Sequence, residues 1–183
     1  GRSPVDYAVA PTTLGIAAVA CTRHGICWLA LGDDGDALIA AMLRRWPGAR
    51  RVGPVRSPTP ESAHRADPAS VEAVAGEPDG ALLAKALQAI EQPGEPFGLP
   101  LDLRGTPFQL AVWAQLQRIP VGGVIAYAEL ARRVGRPRAY RAVAQACGAN
   151  PVGVLVPCHR VIASDGSLGG FGFGLARKRE LLR

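Results

Sequence analysis

Lysine is nearly missing from this chain: Lys85 and Lys178 are the only two among 21 basic residues, so arginine carries almost all the positive charge. Aromatics make up only 5%, and cysteine is confined to positions 21, 27, 147 and 158. Four cysteines in 183 residues are not the disulfide framework of a small secreted domain, and a reducing, cytoplasmic setting is expected. Long apolar runs are lacking too. The longest, Leu14 to Cys21, falls far short of the roughly 20 residues that span a bilayer. No basic segment leads into an apolar core at the start, so neither a membrane span nor a secretory signal is expected. With 48% hydrophobic and 20% charged residues, wholesale disorder is excluded, and one sizeable core or a large domain with a small partner can form.

The net charge of +6 is unevenly placed. Residues 1–100 hold 9 basic against 11 acidic residues, and residues 101–183 hold 12 against 4. An excess of +8 in the second half points to a polyanionic partner or to a solubilising surface, and charge alone does not choose. Arginine suits bidentate phosphate contacts, although an Arg-, Ala- and Gly-rich composition also follows from a GC-rich genome.

Cys21, His24 and Cys27, with His64, are spaced like part of a metal site, but the paired spacing of zinc fingers is missing. Cysteines buried in a sheet are the expectation, with no metal. Leu14–Ala20 and Ile26–Leu31 read as a hairpin around Thr22–Gly25. Asp36 to Trp46 has helical spacing, ended by Pro47-Gly48. From Gly53 to Gly80 the chain is rich in Pro, Ala and acidic residues and reads as a mobile linker or surface loop. Ala81–Glu91 is expected to be helical, broken by Pro93-Gly94-Glu95-Pro96, and Leu99–Leu103 to be extended.

The second half is better specified. Thr106-Pro107-Phe108-Gln109 combines an N-cap, a proline at the first helical position and the Gln of a capping box. Phe108, Val112, Leu116 and Ile119 follow at helical spacing until Pro120. Tyr127–Val134 predicts a short helix ended by Gly135, and a second runs from about Arg138 to Cys147. Its Ala139, Ala142, Val143 and Ala146 form an inner stripe, while Arg138, Arg141 and Gln145 share another face. The pair resembles a helix-turn-helix. Its second helix carries mostly small side chains, too few long polar groups to read a major groove, and could approach a minor groove closely. Tyr140 is the bulky exception, able to stack along a sugar or to face the core.

Asn150 through Ile162 is the most informative stretch. An apolar strand, Val152–Val156, is expected to deliver Cys158 and His159 just after Pro157. A thiolate attacks electrophiles, and His159 is the obvious base. Neighbours in a regular strand face opposite sides, so their pairing requires a turn after Pro157 or a bridging water. By itself Cys-His is a common dipeptide, and a buried, inert cysteine is the better reading of it.

Pro157-Cys158-His159-Arg160-Val161-Ile162, preceded by Asn150-Pro151 and Arg141-Ala142-Val143, resembles the signature of the O6-alkylguanine-DNA alkyltransferases. The similarity runs without gaps from Tyr127 through Gly169–Gly174 to Leu175-Ala176-Arg177-Lys178. The N-terminal half is similar more loosely, through Gly25-Ile26-Cys27 and Leu31-Gly32-Asp33-Asp34, to the alkyltransferase domain of Ada-type proteins.

This resemblance implies direct, single-turnover repair. A methyl or larger alkyl group leaves guanine O6, less generally thymine O4, in duplex DNA for a protein thiolate, after the nucleotide is flipped out of the stack. It implies Cys158 as acceptor, His159 as base through a water, Asn150 as the holder of the active-site turn, and Tyr127 as a donor toward the base. It implies Arg141 as the finger filling the vacated stack, with Arg138, Ala142 and Gln145 also on the DNA. Pro157, Val161, Gly172 and Phe173 would shape the pocket, and Arg160 would serve the scaffold. No cofactor or metal is required, the partner is double-stranded DNA bearing the lesion, and a monomer is expected. The fold implied is α/β (α+β): a small N-terminal sheet domain with helices over 1–98, and a mostly helical domain over 99–183 carrying the helix-turn-helix and the reactive cysteine.

Two departures from the family pattern matter. The acidic residue that orients the family's histidine would fall about two residues past Arg183. Because the chain begins at Gly1 and not Met, a chain trimmed short of its C-terminus is favoured over activation without this relay, and the sequence leaves open whether a further Ada-type domain belongs to the same protein. Phe173 stands where relatives carry Gly or Trp, which predicts a tight pocket that favours methyl and excludes O6-benzylguanine. The alternatives are an alkyl-lesion binder or a transcription-regulating helix-turn-helix protein without transfer. A binder of that kind lacks the thiol that Cys158 supplies, and a cysteine hydrolase finds no support in the residues around it.

Overall fold

A computed structural model describes residues 4–54, 58–92 and 98–183. The chain divides into two compact units, Gly1–Asp102 and Leu103–Arg183. The boundary expected at 98/99 lies later because Leu101 forms a parallel bridge with Ile26, and Asp102 N donates to Ile26 O at 2.8 Å. Main-chain pairing thus draws this stretch into the first unit. Among the described residues no helix is long and apolar enough to cross a membrane.

The first unit is built on a four-stranded sheet of order β3-β2-β1-β4. β1 (Asp6–Thr12), β2 (Gly15–Thr22) and β3 (Gly25–Gly32) form an antiparallel meander, and β4 (Arg50–Arg51) adds in parallel to β1. All eight residues of β2 are buried, so both faces of the sheet are covered. Tyr7, Val9, Ile16, Ala18 and Ala20 pack with Met42 of α1 (Gly35–Arg45), which Asp34 caps by accepting from Asp36 N and Ala37 N. Helices α2 (Pro68–Ala75) and α3 (Ala81–Glu91) pack against β1.

The sequence reading missed β1, whose alanines and Pro11 are poor strand formers. Pro11 is tolerated for a specific reason. Val5 and Tyr7 turn their carbonyls to β4, accepting from Arg50 N and Val52 N at 2.8 Å. Pro11 faces the same side by alternation, beyond the end of β4, where no strand needs its missing N–H.

The segment from 53 to 80 is not the irregular linker expected. Asp67 accepts from Ser70 N, Pro68 takes the first helical position, and Val74 is fully buried, so α2 forms within it. Residues 55–57, and the 93–97 stretch containing the expected Pro-Gly-Glu-Pro break, lie outside the described residues.

In the second unit α4 (Pro107–Leu116) begins with the capping box read from the sequence: Gln109 N donates to Thr106 Oγ1 at 3.1 Å, and Thr106 N to Gln109 Oε1 at 3.0 Å. Its core side chains are Val112, Trp113 and Leu116, and Trp113 Nε1 donates to Ala146 O at 2.8 Å. α5 (Tyr127–Arg133) and α6 (Tyr140–Gly148) pack together across a turn containing Gly135 at φ +76°. α6 starts two residues later than expected, because Arg136–Ala139 close a turn of their own (Ala139 N to Arg136 O, 2.9 Å). Its buried stripe is Val143, Ala146 and Cys147, and Ala142 is exposed rather than inward. β5 (Ile125–Ala126) pairs in parallel with β6 (Val161–Ile162), and α7 (Leu175–Leu182) closes the unit.

Candidate active site

Residues Val152–Val156 do not form the strand expected. They form a run of turns. Leu155 N donates to Gly153 O at 2.9 Å, closing a three-residue turn around Val154 at φ +72°, a strained value for a β-branched residue. Cys158 N donates to Val156 O at 2.8 Å, and Pro157, at φ −81° and ψ +63°, is the centre of an inverse γ-turn. Proline is preset for that φ. The chain then enters a 3-10 turn, Cys158–Arg160, which runs into β6.

Asn150 locks these turns. Its Nδ2 donates to Val156 O at 2.8 Å, while its Oδ1 accepts from Val152 N at 3.0 Å. One side chain thus bridges both ends of a loop that has no ladder to hold it. Arg160 Nη1 donates to Ile119 O at 3.1 Å, anchoring the far side of the reactive turn to the chain just after α4.

A cleft of about 330 Å³ opens beside the Cys158 thiol. Tyr127 at the start of α5, Ala144, Cys147 and Gly148 of α6, Asn150, Gly153, and the loop Gly170–Phe173 line it. That volume lies within the range of small-ligand sites. Phe171 and Phe173 meet edge to face at 5.3 Å, and Phe171 also stands edge-on to His159 at 6.5 Å. Phe173 seats directly on Gly153, where an added Cβ would lie 2.3 Å from Phe173 Cε2.

The electrostatics are set by burial. Burial raises the Cys158 thiol, and a hydrogen bond from Asn150 and the charge of Lys178 oppose it. Tyr127 is pushed up to about 12, chiefly by burial, so its hydroxyl stays a donor at neutral pH. His159 is fully buried and held at about 3 by burial and then by Arg160 and Lys178, so the ring is neutral with lone-pair capacity to accept a proton. Among the described residues neither of its ring nitrogens has a hydrogen-bond partner.

Beyond the cleft, Arg138, Arg141, Ala142 and Gln145 are all exposed, and the Arg141 guanidinium lies 5.9 Å from the Tyr140 ring centre. Tyr140 is itself 50% exposed, so it does not face the core.

Several known proteins are similar to this chain. A family model described as 6-O-methylguanine DNA methyltransferase, DNA binding domain, matches residues 107–183. The bifunctional transcriptional activator/DNA repair enzyme Ada of Escherichia coli is 37% identical over 179 residues, covering 98% of this chain and 45% of that protein. A methylated-DNA–protein-cysteine methyltransferase of Mycolicibacterium paratuberculosis is 52% identical over 86 residues, covering 47% of this chain and 52% of that protein. The crystal structure of Mycobacterium tuberculosis OGT in complex with DNA matches with TM-score 0.69 at 30% identity, covering 97% of this chain and 90% of that one. The chain belongs to the O6-methylguanine methyltransferase family. It spans about half the length of the curated relatives it matches.

Of the residues that the methyltransferase resemblance singled out, the structure brings Cys158, Asn150, Tyr127, Gly172 and Phe173 to one cleft. Pro157 and Val161 are buried behind it rather than lining it. His159 is likewise behind, packed under Phe171. Cys147, Gly153, Gly170, Phe171 and Lys178 were missed. Two signals were available: Phe171 and Phe173 are half of the chain's four phenylalanines in one glycine-rich loop, and Lys178 is one of two lysines in a chain whose other 19 basic residues are arginine.

Cys21 and Cys27 are buried in the sheet, His24 is exposed, and His64 Nε2 lies 3.3 Å from Asp33 instead. Burial, then the charges of Asp6 and Asp79, push the Cys21 thiol up to about 11, the opposite of a ready metal ligand. Among the described residues no group of three or more His, Cys, Asp or Glu could hold a metal ion.

Proposed function

We propose that this chain repairs O6-alkylguanine, and less readily O4-alkylthymine, in duplex DNA by transferring the alkyl group to Cys158. The observation that carries the reading is the placement of a free, partly exposed thiol in a base-sized cleft, with Tyr127 and Asn150 beside it. The exposed Arg-bearing face of α6, and a structural relative solved in complex with DNA, support duplex DNA as the partner. Arg141 would enter the stack as the base leaves it, and the small exposed Ala142, Ala144 and Gly148 would let α6 lie close to a minor groove.

The chemistry is a displacement at carbon. The Cys158 proton passes to His159 through water, and the thiolate forms a bond from Sγ to the alkyl carbon as the bond from carbon to O6 breaks. The electron pair goes to guanine, which Tyr127 hydrogen-bonds and which ends by taking the proton given up by the thiol. The products are unmodified guanine and a thioether with no easy reverse, so each molecule acts once. No other reactant is needed to balance the step. Four free cysteines and a net charge of +6 suit a cytoplasmic, DNA-associated protein, which is where we place it.

The test is incubation with a duplex containing one O6-methylguanine, followed by intact and peptide masses. One added methylene mass on the Cys158 peptide, absent in Cys158→Ala, is the expected result. Tight lesion binding without that mass would replace transfer with lesion binding, and neither binding nor transfer would sink the proposal.

A further inference from the structure

Two long side chains stand together at the start of α6, and the transfer just proposed gives a role to one of them. Arg141 fills the stack as the base leaves. Tyr140, its neighbour, is 50% exposed and is not among the buried residues of the helix. Successive residues of a helix point about 100° apart, so the helix itself does not bring these two together. Yet the Arg141 guanidinium carbon lies 5.9 Å from the Tyr140 ring centre, within the range over which an aromatic face holds a cation. The contact is made by the ends of the two side chains.

Other arginines nearby are held differently. Arg132 and Arg133 of α5 both pair with Glu129, at 2.6 and 3.3 Å, which ties them to their own helix. The Arg136 guanidinium lies 5.6 Å from the Phe108 ring centre. Among the described residues Arg141 has neither a carboxylate partner nor a hydrogen bond, so the Tyr140 ring is what restrains it.

The place of the pair matters as much as the contact. Ala144 lines the cleft, three residues after Arg141 and four after Tyr140, the two spacings that make side chains neighbours on a helix. Both long side chains therefore stand one helical turn from the cleft wall, beside the way from the stack to Cys158. Arginine has many rotamers, and ordering it as the base leaves costs entropy. A ring that already restricts the guanidinium lowers that cost. We propose that Tyr140 is a positioning residue for Arg141: its ring braces the guanidinium at the rim of the cleft, so that the finger is set before the lesion leaves the stack. The inference rests on the repair reading, in which Arg141 is that finger, and its test reads base flipping apart from alkyl transfer.

The probe is a duplex with 2-aminopurine next to O6-methylguanine, which brightens when its neighbour leaves the stack. Brightening is followed by stopped flow, and methyl uptake by the mass of the Cys158 peptide. Tyr140→Ala should slow brightening, and the saturating rate of uptake with it, about fivefold, the size of an exposed ring–cation contact. Affinity for undamaged duplex should change little. Tyr140→Phe keeps the ring and should restore the rate, whereas Tyr140→Leu keeps bulk alone and should stay slow. In an Arg141→Ala background, Tyr140→Ala should cost nothing further. Alkylation of Cys158 by iodoacetamide should run at the parental rate in every Tyr140 variant, since the side chain is exposed and outside the cleft lining. Parental brightening in Tyr140→Ala overturns the proposal. So does an equal slowing without Arg141, which would make the ring a DNA contact in its own right, and so does a parent chain that brings no brightening. Brightening without methyl uptake would sink transfer alone, and Tyr140 would then be judged on the brightening.

Discussion

The two units of this methyltransferase-family chain bury different kinds of group. Among the described residues of the first, the buried polar ones are Thr12 and Thr22, neutral and satisfied by Gly15 O and Asp102 Oδ2 at 2.6 Å each. In the second they are His159 and Lys178, both ionisable. Backbone strain divides the same way. Among the described residues the non-glycine positions at positive φ in the first unit are His64 and Asp79, both exposed, whereas the second places a buried valine, Val154, there. A sheet of alanine, valine and isoleucine needs no such exceptions, because apolar burial alone stabilises it. Ionisable groups out of water and a strained turn persist only where surrounding contacts over-determine them, which marks the second unit as the one organised for chemistry.

The sharpest break of this contrast is Asn150→Ala. It removes the bridge between Val152 N and Val156 O, and a misplaced thiol should lower alkyl transfer about hundredfold, measured in single-turnover kinetics on O6-methylguanine duplex. Leu87→Ala tests the other unit. Leu87 is 1% exposed, so truncation should cost about 3 kcal/mol in denaturant unfolding, while transfer by the folded molecules keeps its rate. An equal fall in transfer would erase the division of labour.

Acid sensitivity comes third. His159 is held at about 3 when folded and titrates near its ordinary value of about 6.5 when unfolded, so the unfolded chain binds the extra proton between those values. Stability therefore falls as pH drops from about 6.5 toward 3, by up to about 1.4 kcal/mol per pH unit from this group. His159→Phe should flatten the pH dependence of Tm in that window, and an unchanged slope would show the histidine is not the cause.

Smaller effects sharpen the picture at the cleft and its rim. Phe173→Gly should speed titration of Cys158 by free O6-benzylguanine about tenfold, because it opens the wall against Gly153. Rapid titration of the parent chain would show that Phe173 does not gate the pocket. Arg141→Ala should weaken binding to undamaged duplex a fewfold and reduce the salt slope by about 1, read by fluorescence anisotropy. Loss of binding with an unchanged slope would make Arg141 a steric wedge with no phosphate contact.

Local rules made much of this molecule readable in advance. The α4 capping box, the Gly135 turn and α3 at Ala81–Glu91 follow from side chains acting on backbone within a few residues. The Cys158 signature was legible because its residues are contiguous. Misreadings arose where local preference was overridden. Val152–Val156 has strand composition but lies in turns, because the Asn150 side chain and the Cys158 main chain take its hydrogen bonds. β1 has weak strand composition but forms, because β2 and β4 flank it.

The sequence by itself determined the family, the candidate acceptor thiol and the Arg141-bearing face of α6, since each is written in adjacent residues or in one helical period. Tertiary structure alone decided that Phe171 and Phe173 wall the cleft, that His159 is buried under Phe171, and that Lys178 faces three carbonyls 8 to 17 positions away. The reason is physical. Short-range hydrogen bonding and periodicity act along the chain, but desolvation and the convergence of carbonyls on a cation exist only after distant segments have packed.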